Sequence, residues 1–374
     1  MQSRTATVTN LYMNPGNYSH IHEGGDRALF DFAPGGTRTI LGNAYVGPKG
    51  ATFTAPFARN PGCFDVSMNL SGTGDIKLLM NSNNTYPLEV RFSSYIKLSQ
   101  DNSPWTGKLM CAAANAEQWD EEECLTVLVS DMNNLGGELN SFAYNGITLR
   151  QSSILKPLNS VAYSRGNRGI FIEGVGGMYP TNNITFAVNA PVTYYGKLRK
   201  LGGGVLMFGG SAKFLQSDGK TVGDLPVADT DLNVLCVEEG SVGVTAPLAC
   251  DGVKAVFEDG ASLCVKVSGS DDDLASKGWT SVKTDTPFVL NASDGKLPVT
   301  FDASGLVSNG SRYETAICTV SATAASALRG KFKLARPGLK GYVAELIDEV
   351  VDADAQTVTF RARLRYSAMK VILR

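Results

Sequence analysis

His20 and His22 are the only histidines in the chain, and they stand beside Tyr18 and Glu23. In an extended strand, residues two apart share a face, so these imidazoles and the Glu23 carboxylate could ligate zinc or a related metal. The same residues equally suit exposed polar positions near a chain end, and no metal is assigned to them. Asp229-Thr230-Asp231-Leu232-Asn233 opens like a calcium loop, but Val234 stands where such a loop needs glycine for its sharp turn. Asp352-Ala353-Asp354 is a weaker version of the same pattern. The run Asp120-Glu121-Glu122-Glu123 reads as a solvated acidic face.

Seven cysteines, at 63, 111, 124, 236, 250, 264 and 318, leave one thiol over in any scheme that pairs the rest. None sits in a C-x-x-C pair, which argues against zinc. Cys111 and Cys124 could pair in an oxidising compartment, while most of the set suits small buried apolar positions. No G-x-S-x-G turn and no Cys-His arrangement is present. Most acids sit at corners beside glycine, as in Glu238-Glu239-Gly240, where turn chemistry accounts for them. Trp105, Trp119 and Trp279 could stack on sugar rings, though partial burial as packing residues suits them better. No catalytic group, cofactor or metal site is therefore assigned, and the chain is not read as an enzyme.

The elements that would carry these residues are short strands between glycine corners. Ala28-Leu29-Phe30-Asp31-Phe32, then Thr37-Arg38-Thr39-Ile40-Leu41, then Ala51-Thr52-Phe53-Thr54 are separated by Pro34-Gly35-Gly36 and Gly47-Pro48-Lys49-Gly50. Residues 110–124, with Cys111-Ala112-Ala113-Ala114 leading to Trp119, have helix-forming composition and predict a short helix or an excursion. Leu235-Cys236-Val237-Glu238-Glu239-Gly240 is matched 20 residues later by Ala255-Val256-Phe257-Glu258-Asp259-Gly260. Tyr342 to Ile347 and Thr357 to Leu364 predict a hairpin. Ser321 to Leu328 is ambiguous between strand and helix. The strongest single stretch is Lys200-Leu201-Gly202-Gly203-Gly204-Val205-Leu206-Met207-Phe208-Gly209-Gly210, in which Leu206 and Phe208 share one face of a strand between two glycine corners.

That stretch resembles the autotransporter-associated β-strand repeat of bacterial passenger-type surface proteins, whose pattern is roughly Lys, Gly-x-Gly, Leu-x-Leu, Gly. Lys200, Gly202, Gly204, Leu206, Phe208 and Gly210 carry the resemblance, with Phe in place of the second Leu. Upstream, Asn167-Arg168-Gly169-Ile170, Gly176-Gly177 and Ile184-Thr185-Phe186-Ala187-Val188 fall where such proteins place a preceding strand and turn. Shorter echoes run from Leu70 to Leu78 and from Asn102 to Leu109.

The resemblance implies an all-β chain: a right-handed parallel β-solenoid (β-helix) over residues 1–270, with an irregular excursion near 99–125, and a β-rich C-terminal cap over 271–374. A β-sandwich or jelly roll is the runner-up. It further implies a secreted or surface-displayed structural or adhesive protein, located outside the cell or on its surface. Such a protein would bind a surface glycan or a host or cell-surface component through loops at 99–125 and 216–231. Two alternatives remain, a self-associating subunit of an extracellular filament or viral appendage, and a polysaccharide-active enzyme on the same scaffold. Met1 to Val8 lack the apolar core of a secretory signal, so display outside the cell implies a trimmed form of a longer chain.

Composition agrees with this outline. Forty glycines in 374 residues exceed the usual 7% or so and imply many corners. Hydrophobic content of 43% suffices for a sizeable core. Charged residues are only 19%, the net charge is −2, and no basic run interleaves with aromatics, which argues against nucleic acid as a partner. No apolar stretch is long enough to span a bilayer.

Overall fold

The computed structural model describes residues 4–13, 37–55, 63–80, 94–113, 124–209, 212–216, 233–245, 248–250, 252–267, 278–304, 306–308 and 311–367. These residues are mostly β, with one short α-helix at Ala322–Leu328 and one 3-10 turn at Met132–Leu135. Their strands form sheets of sixteen, seven and five members.

The pairing corrects the expected right-handed parallel β-solenoid. A regular coil keeps its sides in separate, unbranched ladders. Here sixteen strands merge into one sheet whose main path of eleven is nearly closed and barrel-like. The sheet branches at long strands: Arg168–Met178 pairs with Ala143–Arg150 along its first part and with Ser153–Pro157 at its end. The runner-up fails too, because a jelly roll is antiparallel and the two larger sheets are parallel, as in the pairing of Thr37–Val46 with Cys63–Gly72.

The cause lies at glycines inside the long strands. Gly42 has φ 127°, yet Thr37–Val46 runs straight through it, and a Cβ there would lie 1.7 Å from the Val8 carbonyl oxygen. Gly174 and Gly196 sit in register with φ of 71° and 141°, and a Cβ on Gly196 would lie 1.8 Å from the Gly174 oxygen. Only residues without a Cβ bend and stack this closely. The chain therefore turns without ending the strand, and both sides of the bend stay in one sheet. Gly176 and Gly177, expected to form a turn, lie inside Arg168–Met178, where they pair with Ser153 and Ile154.

Inward positions build one continuous core. In Cys63–Gly72 the alternate residues Phe64, Val66, Met68 and Leu70 are buried, each contributing roughly 1.5–3 kcal/mol. The seven-stranded sheet stacks Phe186, Leu206, Val242, Leu263 and Val299 in register. The 20-residue sequence repeat becomes a pairing register, with Leu235 beside Ala255 and Val237 beside Phe257.

Beyond residue 270, strands Phe288–Leu290, Leu297–Asp302 and Phe332–Leu334 join the two parallel sheets. The expected hairpin pairs Tyr342–Asp352 antiparallel with Thr357–Tyr366. Ser321 resolves its ambiguous segment as a helix by capping it, its hydroxyl accepting from Ala324 N at 3.1 Å.

Two local expectations are also corrected. Leu109–Ala113, expected to begin a helix, is a strand held between Ile76–Met80 and Ala143–Arg150; pairing on both sides overrides the alanine-rich composition. Residues 114–123 lie outside the described residues. The described part of the 99–125 segment packs inward instead of projecting. Asn102 is fully buried, accepting from Leu70 N and donating to the Asn134 carbonyl, both at 2.9 Å, and Trp105 donates to the Gly74 oxygen at 2.7 Å.

Candidate functional site

The Lys200 stretch is a turn-locking device. Lys200 ends the strand Pro191–Lys200 fully buried, and its amine donates to the carbonyl oxygens of Gly202 and Glu239. Burial pushes its pKa down to about 8. Gly202 has φ 72°, and a Cβ there would lie 2.2 Å from the Tyr179 ring. A Cβ on Gly204 would lie 2.2 Å from the Thr181 oxygen. Leu206 and Phe208 are core residues, and Gly210 lies outside the described residues. The motif thus brings Lys200, Gly202 and Gly204 together as structure.

Beside that turn lies an open groove of about 440 Å³. It crosses the ladder in which Tyr95, Thr126, Ile154, Gly177, Arg199 and Cys236 follow one another in register. Thr126 and Ile154 lie in its nearly buried part. Tyr179, Leu201 and Glu238 each follow directly on a strand end, and each donates its N–H to the preceding rung, to Leu155, Met178 and Lys200 at 2.9, 2.9 and 3.0 Å. This backbone ladder fixes the side chains that face the groove. The Lys156 amine stands 4.4 Å from the centre of the Tyr179 ring. The Glu238 carboxylate is gripped on both oxygens by Arg199. Glu239 projects into solvent at the far end. Cys124 Sγ lies 3.9 Å from Thr126 Oγ1.

The arrangement offers two tyrosine rings, a hydroxyl, an amine and a carboxylate on a rigid ladder, which suits binding. The sequence singled out none of Tyr95, Lys156 or Tyr179, because they are 23 to 84 residues apart and meet only through register. Glu239 was visible only as a corner acid.

The other sequence candidates fall elsewhere. His20, His22 and Glu23, the acidic run 120–123, Trp119 and the residues 229–232 of the calcium-like pattern lie outside the described residues, as do residues 217–231 of the second expected binding loop. Trp105 and Trp279 are fully buried, which removes them as sugar platforms. Asp352 Oδ1 accepts from Asp354 N at 3.0 Å and Ala355 N at 2.9 Å, so that pattern shapes the hairpin turn. No disulfide joins Cys111 to Cys124. Among the described residues no cluster of His, Cys, Asp or Glu could hold a metal ion, and no helix is long and apolar enough to cross a membrane. No protein-family model, no curated protein and no solved structure matches this chain.

Proposed function

We propose that the chain is a secreted or surface-displayed structural and adhesive protein without catalytic activity. The observation that carries this reading is the use made of its carboxylates. Glu138 accepts from the backbone of Gly166 and Asn167 at 2.8 and 3.0 Å, Asp75 from Lys108 at 2.9 Å, and Asp259 from Ser293 at 3.0 Å. Each such bond ties one turn to another 28 to 34 residues away. Carboxylates engaged with backbone N–H groups of another turn are oriented for cohesion. The sparse charge of the chain and its likeness at Lys200 to Phe208 to the passenger repeat support work outside the cell, against a cell-surface or glycan partner and not a nucleic acid.

Beads coated with the purified chain should be retained on cell surfaces or insoluble polysaccharide without releasing reducing sugar. Release of sugar would refute the non-catalytic part and favour the enzyme alternative. Absence of retention on every surface tried would refute the adhesive part.

A second reading, a self-associating subunit of a filament or appendage, has one observation in its favour. Tyr342–Asp352 is the outer strand of the five-stranded sheet, with Leu346, Val350 and Val351 exposed at 47, 47 and 60%. Such an edge can pair with a second copy of the chain. Light scattering across a concentration series would show oligomers that Val351→Lys disperses; a monomer at all concentrations would refute this reading.

A further inference from the structure

The groove beside Lys200 lies across strands Ser94–Leu98, Leu125–Val129, Ser153–Pro157, Arg168–Met178, Pro191–Lys200 and Asn233–Val237. Five strand spacings of about 4.8 Å give it a length of about 24 Å. The backbone beneath is already paired along the ladder. An extended peptide, which binds a sheet by adding main-chain hydrogen bonds at an edge, finds no such partner there. Recognition falls to side chains.

Those side chains combine ring faces with scattered polar groups. Tyr95 and Tyr179 stand three strands apart, about 14 Å, and both are half-buried, so their rings are held in place; the Lys156 amine covers one face of Tyr179, so a ligand meets that ring away from Lys156. Thr126, the Lys156 amine and the Glu239 carboxylate supply donors and acceptors between and beyond them. Neither Lys156 nor Glu239 forms an ion pair among the described residues, and their opposite charges cancel along the groove. Arg199 neutralises Glu238. With the protonated Lys200 amine beneath Glu239 counted, the groove carries one net positive charge, too little to gather a polyanion.

A sugar ring has one apolar C–H face for an aromatic and a rim of hydroxyls for amine, carboxylate and hydroxyl groups. In an extended chain its units repeat at nearly the spacing of strands. The geometry points to a neutral, extended oligosaccharide of about five units, lying across the strands, as the ligand of this groove. This assignment rests on the adhesive reading above and names its partner.

The test is calorimetric titration of the purified chain with neutral β-linked glucose and mannose oligomers of two to six units. A sulfated polysaccharide and an unstructured peptide serve as competitors. Affinity should climb with length to about five units and then level off, and should change little with added salt. Tyr179→Ala should weaken it about tenfold, as should Tyr95→Ala, while Tyr12→Ala, at an exposed position remote from the groove, leaves it unchanged. Unfolding midpoints close to wild type would show that the variants are folded. Binding only of the sulfated polymer with steep salt dependence, binding only of the peptide, or binding of no oligomer would each overturn the assignment. So would binding indifferent to both tyrosines. If coated beads still adhere to cells while no neutral oligomer binds, the groove assignment fails and the adhesive reading survives.

Discussion

Replacing Lys200 by methionine isolates the cost of its buried ammonium. In the folded chain the amine is fully buried, and burial lowers its pKa from 10.5 to about 8. The unfolded chain keeps its proton up to about 10.5, so between pH 8 and 10.5 the unfolded state binds more protons, and stability must rise with pH across that window. A shift of about 2.5 units at about 1.4 kcal/mol each gives a gain of about 3 kcal/mol, complete above pH 10.5 and absent below pH 8. Lys200→Met cannot show this gain. It also strips the Gly202 and Glu239 carbonyls of their donor, at a cost of about 1–3 kcal/mol each where they stay unsatisfied. That loss offsets the two stability curves but leaves their slopes alone. Urea unfolding of both proteins at pH 7, 8, 9, 10 and 10.5 would measure the difference, and other titrating groups cancel in the subtraction. The wild type should gain on the variant by about 3 kcal/mol between pH 8 and 10.5. Parallel curves would refute the argument, because they would mean that Lys200 carries its proton equally in both states.

Gly202→Ala should cost at least about 2 kcal/mol, from the left-handed backbone together with the Tyr179 ring 2.2 Å from the new Cβ; denaturant midpoints check this. Arg168 is fully buried with Nη1 and Nη2 unpartnered, held by its Nε bond to Gly137 at 2.8 Å and by the Trp105 ring at 5.1 Å. Arg168→Met should leave stability equal or raise it by about 1–2 kcal/mol, since an apolar side chain of similar length escapes the desolvation cost. A loss above about 1 kcal/mol in urea melts would show that the Gly137 bond and the stack over Trp105 together outweigh burial. Cys63 is half-buried where the other six cysteines are buried, and burial raises its pKa to about 11. At pH 8 it should react with a disulfide reagent about 100-fold more slowly than a free thiol, and the six others more slowly still; a fast phase from the native protein would contradict the burial described here.

The sequence made the strand-rich character legible through its glycines and alternating apolar residues. Leu206 and Phe208 were placed on one face, and both lie in the core. The hairpin of Tyr342–Asp352 and Thr357–Tyr366 was equally plain, because its two halves are close in sequence and their turn is polar. The two segments read as echoes of the Lys200 stretch, 70–78 and 102–109, turn out to be neighbours: Gly72 bridges Trp105, and Ile76 pairs with Leu109. Tertiary pairing settled the rest. Cys111 to Ala113 became strand because two partners flanked it.

From its own residues, then, the chain determined where it can bend and which side chains turn inward, since both depend on the local presence or absence of a Cβ and on alternation along a strand. It did not determine whether a bend at Gly42 or Gly196 ends a strand or carries it through, because that depends on a carbonyl of the neighbouring strand lying less than 2 Å from where a Cβ would be. That choice merged the sides into one nearly closed sheet in place of a regular coil. The groove was likewise invisible in the sequence: Tyr95, Lys156, Tyr179 and Glu239 come from four separate strands or strand ends, and only the parallel register, which repeats at no fixed interval along the chain, sets them side by side.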